Sequence, residues 1–126
     1  MKKKYDKKIN LHYDKVAIKR KKSKFSTMED EYIRDQETDF IINILKKSKK
    51  KLKILDPGCG NGYTLDQISK LQKKNFLYGM DNNRSLFEIA HKRLTKKANV
   101  IKGDIRTFNK NFENKFDIVI LQRVLI

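Results

Sequence analysis

The feature that most limits what this chain can fold into is a row of three glycines at alternate positions between a strand and a helix. The apolar segment Leu52–Asp56 predicts a short buried strand. It runs directly into Pro57-Gly58-Cys59-Gly60-Asn61-Gly62. Leu65, Ile68 and Leu71 then recur at helical spacing. A strand, a glycine loop and a helix in this order are typical of α/β folds.

The spacing of the glycines excludes two common nucleotide-binding loops. A Walker loop needs Gly-Lys-Ser or Gly-Lys-Thr, and the sequence contains neither. The dinucleotide fingerprint Gly-x-Gly-x-x-Gly would place its third glycine at position 63, where the chain has Tyr63. The loop is therefore of a third type, Asp-x-Gly-x-Gly-x-Gly, and begins at Asp56.

Strands and helices alternate along the rest of the chain. A capping-box pair, Ser26 and Glu29, predicts the start of a helix of about 18 residues. Its predicted apolar face consists of Tyr32, Ile33, Gln36, Phe40, Ile41, Ile44 and Leu45. Further strands are predicted at 76–80, 99–102 and 116–121, with a helix at 86–95. This order predicts an α/β fold, a doubly wound parallel sheet with helices on both faces and about four strands.

The glycine loop and the acids that follow the next two strands closely resemble class I S-adenosylmethionine-dependent methyltransferases. Asp81 lies 19 residues beyond Gly62 and closes its strand, where this family has its ribose-binding acid. Asp104 occupies the place of the family's adenine-side acid. Residues 116–125 resemble the fourth motif, which borders the methyl-transfer centre. The resemblance covers 52–126 and implies a Rossmann-like core that binds S-adenosyl-L-methionine and transfers its methyl group.

The resemblance implies a role for each candidate residue, and side-chain chemistry gives a reason for it. Glycines let the backbone approach the cofactor, and the helix N-terminus offers unpaired N–H groups to its carboxylate. An ionised Asp81, assisted by Asn82, can accept from both ribose hydroxyls. Asp104 can accept from the adenine amino group beside the N–H of Ile105, while Asp56 holds the methionine amino group or orders the loop. The predicted cofactor-binding residues are Asp56, Gly58, Cys59, Gly60, Gly62, Asp81, Asn82, Asp104, Ile105 and Gln122.

Four residues near the loop and the last strand have less specific predictions. Cys59 has no histidine close in sequence that could activate it, so its thiol is predicted to pack rather than to act as a nucleophile. Tyr63 is predicted either to line the cofactor site or to pack. Gln122 and Arg123 follow the fourth strand, where the family places residues that face the acceptor. No general base is assigned, and the catalytic residues stay unknown.

Because the sequence stops just after its predicted fourth strand, we expect a fragment of a methyltransferase rather than a complete enzyme. The acceptor, whether a small molecule, a protein or RNA, is not identified by the sequence. An alternative is a cofactor-binding remnant without activity.

The charge of +16 raises a second alternative, a basic nucleic-acid-binding module. Of the 31 cations 25 are lysines, which makes bidentate recognition of phosphate or bases weak. Lys, Ile and Asn have A/T-rich codons, so a low-GC genome explains the excess equally well. Residues 1–24, with 11 cations and 2 acids, are predicted to form a solvated basic arm ahead of a leading helix at 25–51. The weaker alternative is an amphipathic segment that docks over the site with Tyr13.

Composition excludes several other classes. One cysteine rules out an internal disulfide, and two histidines are too few for an ordinary Cys/His zinc site. No apolar run approaches the roughly 18 residues of a membrane span. We expect a cytoplasmic, metal-free protein.

Overall fold

Four parallel strands form one sheet in the computed structural model, which describes residues 2–20, 31–107 and 115–122. The strands are β1 (Lys53–Pro57), β2 (Phe76–Asp81), β3 (Asn99–Lys102) and β4 (Ile118–Val119), in the spatial order β3-β2-β1-β4. The direction of the strand order therefore reverses between β1 and β4. In open α/β sheets ligands bind beyond the carboxyl ends of the strands at such a reversal. The predicted fold class and the four strands are confirmed.

The described parts of the chain contain four helices and one 3₁₀ turn besides the sheet. They are α1 (Lys2–Arg20), α2 (Glu31–Lys46), α3 (Tyr63–Leu71), α4 (Arg84–Arg93) and the turn Ile105–Thr107. The predicted β4 at 116–121 is longer than the observed strand, which pairs with β1 through Ile118 and Val119. The predicted cap at Ser26 and Glu29 lies outside the described residues.

The core lies between one face of the sheet and helices α2, α3 and α4. The parallel register places Ile54 beside Leu77 and Gly79 beside Val100, so these residues share that face. The helical side contributes Ile42, Leu45, Leu65, Ile68, Ala90 and Leu94. Full burial of each large aliphatic side chain stabilises the fold by about 1.5 to 3 kcal/mol.

Helix α2 turns a different face to the core from the one that its sequence pattern predicts. Its buried side chains are Arg34, Thr38, Ile42 and Leu45. The members of the predicted face that are exposed instead are Tyr32, Ile33, Gln36, Phe40 and Ile44. The buried stripe tolerates a threonine because its hydroxyl donates to the Arg34 carbonyl oxygen at 2.9 Å. The Arg34 side chain reaches the start of α3, where its guanidinium carbon lies 5.4 Å from the Tyr63 ring centroid.

Helix α1 occupies the segment for which the sequence favours a solvated arm. It packs against α4, and Ala17 is its one buried hydrophobic residue among those whose side chains the structure describes. Polar contacts supply most of the attachment, because Asp14 accepts from Ser85 Oγ at 2.8 Å and from Asn83 Nδ2 at 3.0 Å. Residues 2–20 are thus helical and packed on α4, whereas Leu11 and Ile18, which the docked alternative would bury, are exposed. None of the helices in the described part of the chain is both long and apolar enough to cross a membrane.

Candidate functional site

The glycine loop lies at the carboxyl ends of β1 and β2, with its backbone held by the neighbouring strand. The N–H groups of Gly58 and Cys59 donate to the Met80 carbonyl oxygen at 2.6 and 2.9 Å. Gly60 and Gly62 have φ values of 57° and 79°, in the left-handed region that side chains disfavour. A Cβ on Gly62 would also lie 2.9 Å from Leu94 Cδ1. Both positions therefore require glycine for the loop and α3 to reach this arrangement.

Asp81, at the end of β2, joins the loop to the start of α4. Its Oδ2 accepts from the Gly60 N–H at 2.8 Å, and its Oδ1 accepts from the Asn83 N–H at 2.9 Å. Asn83 in turn caps α4, since its Oδ1 accepts from the Leu86 N–H at 2.9 Å. Burial raises the pKa of Asp81, although the two N–H donors favour its ionised form. Each carboxylate oxygen keeps a lone pair for a further donor.

Asp56 is a buried acid at the end of β1. Burial raises its pKa to about 7, with Arg34 opposing the shift and Asp81 adding to it through charge. Its carboxylate makes no hydrogen bond or ion pair with any residue in the described part of the chain. A carboxylate that is buried without a hydrogen-bond donor favours a ligand that is cationic or that donates a hydrogen bond.

Two arginines flank the Tyr63 ring at the start of α3. The Arg34 guanidinium carbon lies 5.4 Å from the ring centroid, and that of Arg93 lies 5.8 Å from it. The Tyr63 hydroxyl donates to Asp35 Oδ1 at 3.3 Å, and Arg93 Nη1 donates to the Asn61 carbonyl oxygen at 3.1 Å. Tyr63 thus contacts side chains of both α2 and α4 beside the glycine loop, and its ring packs against the Arg34 guanidinium.

Asp104, beyond β3, is the acid predicted for the adenine side. Arg106 Nε lies 3.0 Å from both carboxylate oxygens, and its Nη2 lies 2.6 Å from Oδ2. These bonds lower the pKa of Asp104 to about 2, with a smaller contribution from the Asn82 side chain. Asn82 is therefore directed at Asp104, and the 3₁₀ turn that carries Arg106 begins at Ile105.

The remaining candidates are Gln122, which follows β4, and Cys59, which belongs to the loop. Gln122 Oε1 accepts from Thr64 Oγ1 at 3.3 Å, and its amide donates to Glu37 on α2. The Cys59 thiol is buried in the core cluster, and burial raises its pKa well above the usual value. The packing interpretation of Cys59 agrees with this position, and its backbone lines the loop.

The structure places the predicted residues along one edge of the sheet, in three neighbouring groups. The loop, Asp56 and Asp81 form the central group, and the Gly103 N–H donates to the Asp81 carbonyl oxygen at 3.0 Å, which joins the Asp104 turn to it. Gln122 stands at the end of β4, and Arg123 lies outside the described residues. Among described residues, no group of three or more acids, histidines or cysteines could hold a metal ion.

Sequence reasoning missed four residues of this edge, namely Arg34, Asn83, Arg106 and Glu37. Asn83 carried a signal, because an Asn three residues ahead of Leu86 matches a helix N-cap. The other three depend on how separate elements pack together.

Comparison with known proteins assigns this arrangement to a family. The profile described as a methyltransferase domain matches residues 48–126, more than half of the chain. The chain belongs to the methyltransferase domain family. No curated protein matches its sequence significantly.

Solved structures resemble this methyltransferase domain over most of its residues. The plantazolicin methyltransferase BpumL, crystallised with a desmethyl plantazolicin analogue and S-adenosylhomocysteine, is 28% identical with a TM-score of 0.61; the match covers 91% of this chain and 48% of BpumL. A TehB-like S-adenosylmethionine-dependent methyltransferase from Corynebacterium glutamicum is 25% identical with a TM-score of 0.54, over 68% of this chain and 44% of that one.

Magnesium protoporphyrin IX methyltransferase from Synechocystis is 16% identical and shares the fold, with a TM-score of 0.70 over 96% of this chain and 59% of its own. The present chain thus spans about half the length of these structures.

Proposed function

We propose that this methyltransferase domain binds S-adenosyl-L-methionine at the glycine loop and takes part in methyl transfer to an acceptor that is not yet identified. The observation that carries the proposal is the Asp81 carboxylate, which bonds the Gly60 and Asn83 N–H groups and keeps acceptor capacity at the loop. The matching family profile and the solved relatives support the same cofactor.

The residues of the loop fit the parts of such a cofactor. Asp81 would accept from the ribose hydroxyls, because an ionised carboxylate has about four acceptor positions and two are in use. The N–H groups at the start of α3 would meet the carboxylate of the methionine part. The floor beneath would be the backbone of Gly58, Cys59, Gly60 and Gly62.

Asp56 and Arg34 would recognise the charged amino-acid end of the cofactor together. Asp56 is buried without a described donor, so an ammonium group would give it the missing partner. Arg34 is 6% exposed and interacts with Asp56 through charge, which places a cation near the acid for the cofactor carboxylate. Opposite charges on two elements would fix the orientation of a zwitterion.

The adenine side needs a rearrangement at Asp104. Its carboxylate is occupied by Arg106, so acceptance from the adenine amino group requires Arg106 to release one oxygen. The N–H of Ile105, at the start of the 3₁₀ turn, and the side chain of Asn82, which contacts Asp104, would complete this side of the proposed site.

The sulfonium group of the cofactor supplies an activated methyl group when it is bound, and the domain's own contribution is positioning. The loop and the acids orient the donor. Gln122, fixed by Thr64 and Glu37 at the end of β4, borders the side from which an acceptor would approach. Holding two reactants at near-attack distance accounts for up to about 7 to 11 kcal/mol of a barrier.

The proposal also includes the division of the chain into a basic arm (1–24), a leading helix (25–51) and a cofactor-binding part (52–126). It further includes a cytoplasmic location. A second candidate is a remnant that binds the cofactor without transferring a methyl group. The present chain matches 48% of BpumL.

Calorimetric titration of the whole chain with S-adenosylhomocysteine tests the binding step, and incubation with methyl-labelled S-adenosylmethionine and a panel of acceptors tests the transfer. Saturable binding at one site per chain is expected. Absence of binding at pH 8, where Asp56 is ionised, would contradict the proposal. Binding without transfer to any acceptor would favour the remnant.

A further inference from the structure

Helix α1 is held to the domain by the acids and amides of one of its faces. Asp6 accepts from Arg106 Nη1 at 3.2 Å. Asn10 Oδ1 accepts from Asn83 Nδ2 at 3.3 Å, and Asp14 accepts from Asn83 and Ser85. Positions 6, 10, 14 and 17 are spaced by about one turn, so they form a single inward stripe. Both acids of α1 are used in this attachment.

The opposite face of α1 is therefore cationic without compensating acids. All of its lysines whose side chains the structure describes are exposed, namely Lys4, Lys7, Lys8, Lys15 and Lys19. Between Lys4 and Lys19 the helix rises about 22 Å, at 1.5 Å per residue. We refer to these five side chains as the lysine face.

Some surface cations on or beside α3 and α4 pair with acids of those helices. On α3, Asp66 pairs with Lys70 at 2.9 Å, and it also accepts Lys97 at 2.8 Å. On α4, Arg84 pairs with Glu88 at 3.0 Å. The lysine face is different because its two neighbouring acids point the other way. An overall excess of lysine in the composition does not explain this segregation, which arises from how α1 docks.

We propose that the lysine face binds the phosphodiester backbone of a nucleic-acid strand at the rim of the cofactor site. Lysine ammonium groups are point charges that suit phosphates without reading bases, so this binding would be largely independent of sequence. The inward face of α1 lies next to the proposed cofactor site, since Asn83 donates to Asp14 through its side chain and to Asp81 through its N–H. That such a strand carries the methyl acceptor rests on the proposed function.

An anionic membrane surface fits this helix less well. Interfacial helices separate an apolar face from a cationic one, so that the apolar side enters the lipid. Here Leu11 and Ile18, which are 55% and 74% exposed, lie among the lysines of the same face. Insertion of these two side chains would push the neighbouring ammonium groups into the lipid as well. The mixed face suits a solvated phosphate strand.

Fluorescence anisotropy of the whole chain with a labelled single-stranded RNA of about 16 nucleotides, and with DNA of the same sequence, tests the proposal. The variant Lys4→Glu/Lys8→Glu/Lys15→Glu is expected to bind at least about tenfold more weakly, with a salt slope smaller by about 2, as the loss of three phosphate contacts predicts. The neutral variant Lys4→Gln/Lys8→Gln/Lys15→Gln should change affinity in the same direction.

The matched control is Lys49→Glu/Lys51→Glu/Lys73→Glu, which reverses three exposed lysines in the α2–β1 and α3–β2 connections, away from α1. It has the same net charge, and it should lose no more than about threefold. Equal losses in the two reversed variants would overturn the proposal in favour of unspecific attraction. Binding to phosphatidylserine vesicles without binding to RNA or DNA would overturn it in favour of a membrane.

Titration with S-adenosylhomocysteine keeps this test separate from the proposed function. Nucleic-acid binding that depends on the lysine face, in a chain that fails to bind the cofactor, would support the lysine face and contradict the cofactor site. The second outcome is cofactor binding together with RNA and DNA affinities that the Lys4/Lys8/Lys15 substitutions leave unchanged. It would support the cofactor site and contradict the role of the lysine face.

Discussion

The Asp81 carboxylate accepts the N–H of Gly60 at 2.8 Å, and this single contact couples the end of β2 to the middle of the glycine loop. The second oxygen of the same carboxylate accepts the N–H of Asn83, which begins α4. One acid therefore fixes both the loop and a helix start, and in the proposed site it would also accept from the ribose hydroxyls. Its removal should affect folding and binding together.

We predict that Asp81→Ala lowers the free energy of unfolding by about 2 to 4 kcal/mol, because two buried N–H groups lose their acceptor. The same variant should bind S-adenosylhomocysteine at least tenfold more weakly, since charge-assisted bonds to hydroxyls are worth about 1.5 to 3 kcal/mol each. Urea unfolding and calorimetry measure the two effects. Asp39→Ala, at an exposed acid of α2, is the control and should change neither. An Asp81→Ala chain with unaltered affinity would remove this residue from the cofactor site.

Local sequence patterns were sufficient to predict the loop, the acids and the sheet. The glycines and Asp81 act within a stretch where strand, loop and helix follow one another, so short-range periodicity determines their positions. The same reasoning was wrong for α2, where Tyr32 and Phe40 fit an apolar period but the helix turns Arg34 inward. The residues that Arg34 meets there, Tyr63 and Asp56, are far away from it in sequence.

Helix α1 is a second element whose packing could not be predicted from local sequence patterns. Its composition is that of a solvated segment, and only the partners Asn83, Ser85 and Arg106 explain why it docks. The sequence predicts an acid at the end of β3, and Asp104 follows that strand, but its ion pair with Arg106 depends on a turn whose side-chain directions no sequence pattern specifies. Contacts between separate elements were thus the part that could not be predicted.

The raised pKa of Asp56 predicts how cofactor affinity depends on pH. A carboxylate with a pKa of about 7 is ionised only above that pH, and only the ionised form attracts an ammonium group. Affinity for S-adenosylhomocysteine should therefore be greatest above pH 8 and fall as the pH decreases through about 7. Calorimetry across this range measures it. Asp56→Asn should bind weakly at all pH values and lose this dependence.

Stability should change in the opposite direction over the same range. Because folding raises the pKa of Asp56 from 3.8, the folded state favours the protonated acid. Its contribution to stability is complete below pH 3.8 and is lost as the pH rises through about 7. Asp56→Asn should reduce this fall in the free energy of unfolding. A fall of the same size in the variant would show that another group causes it.

The left-handed conformation of Gly60 predicts a strict requirement for glycine there. Gly60→Val places a branched side chain at φ 57° and should destabilise the domain by about 1 to 3 kcal/mol and abolish cofactor binding. Gly103→Ala is a comparison in which the added Cβ meets the flexible Met80 side chain at its sulfur. It should have a smaller effect on urea unfolding. Normal binding by Gly60→Val would reduce the loop to an ordinary turn.

The polar attachment of α1 predicts a protease-sensitive helix. Asp14→Ala removes an acceptor of Asn83 and Ser85. Each lost hydrogen bond contributes about 0.5 to 1.5 kcal/mol, so α1 should detach from the domain several times more often. Tryptic cleavage after Lys15 and Lys19 should be faster by a factor of about 2 to 10. The matched substitution Asp39→Ala should leave the cleavage rate unchanged, and equal rates in both variants would contradict this attachment.

The two arginines beside Tyr63 predict a positioning role for that ring at the amino-acid end of the cofactor. Tyr63→Ala removes the surface against which Arg34 is held, at 5.4 Å, and contacts of this kind are worth about 0.5 to 2 kcal/mol. Affinity for S-adenosylhomocysteine should fall by about fivefold to tenfold, as Arg34 loses its orientation. Affinity for 5′-methylthioadenosine, which lacks the amino-acid part, should change by less than about twofold, because the proposed site places its contacts on the Asp81 side.

Tyr63→Phe is the matched control, since it keeps the ring and removes only the hydroxyl that donates to Asp35 at 3.3 Å. A bond of that length contributes little, so the two ligands should bind the Phe variant almost as they bind the parent chain. Calorimetry with both ligands on all three chains gives the comparison. If Tyr63→Ala weakened both ligands equally, the ring would act by holding the loop as a whole. A loss confined to S-adenosylhomocysteine places the effect at Arg34, the cation that Tyr63 positions.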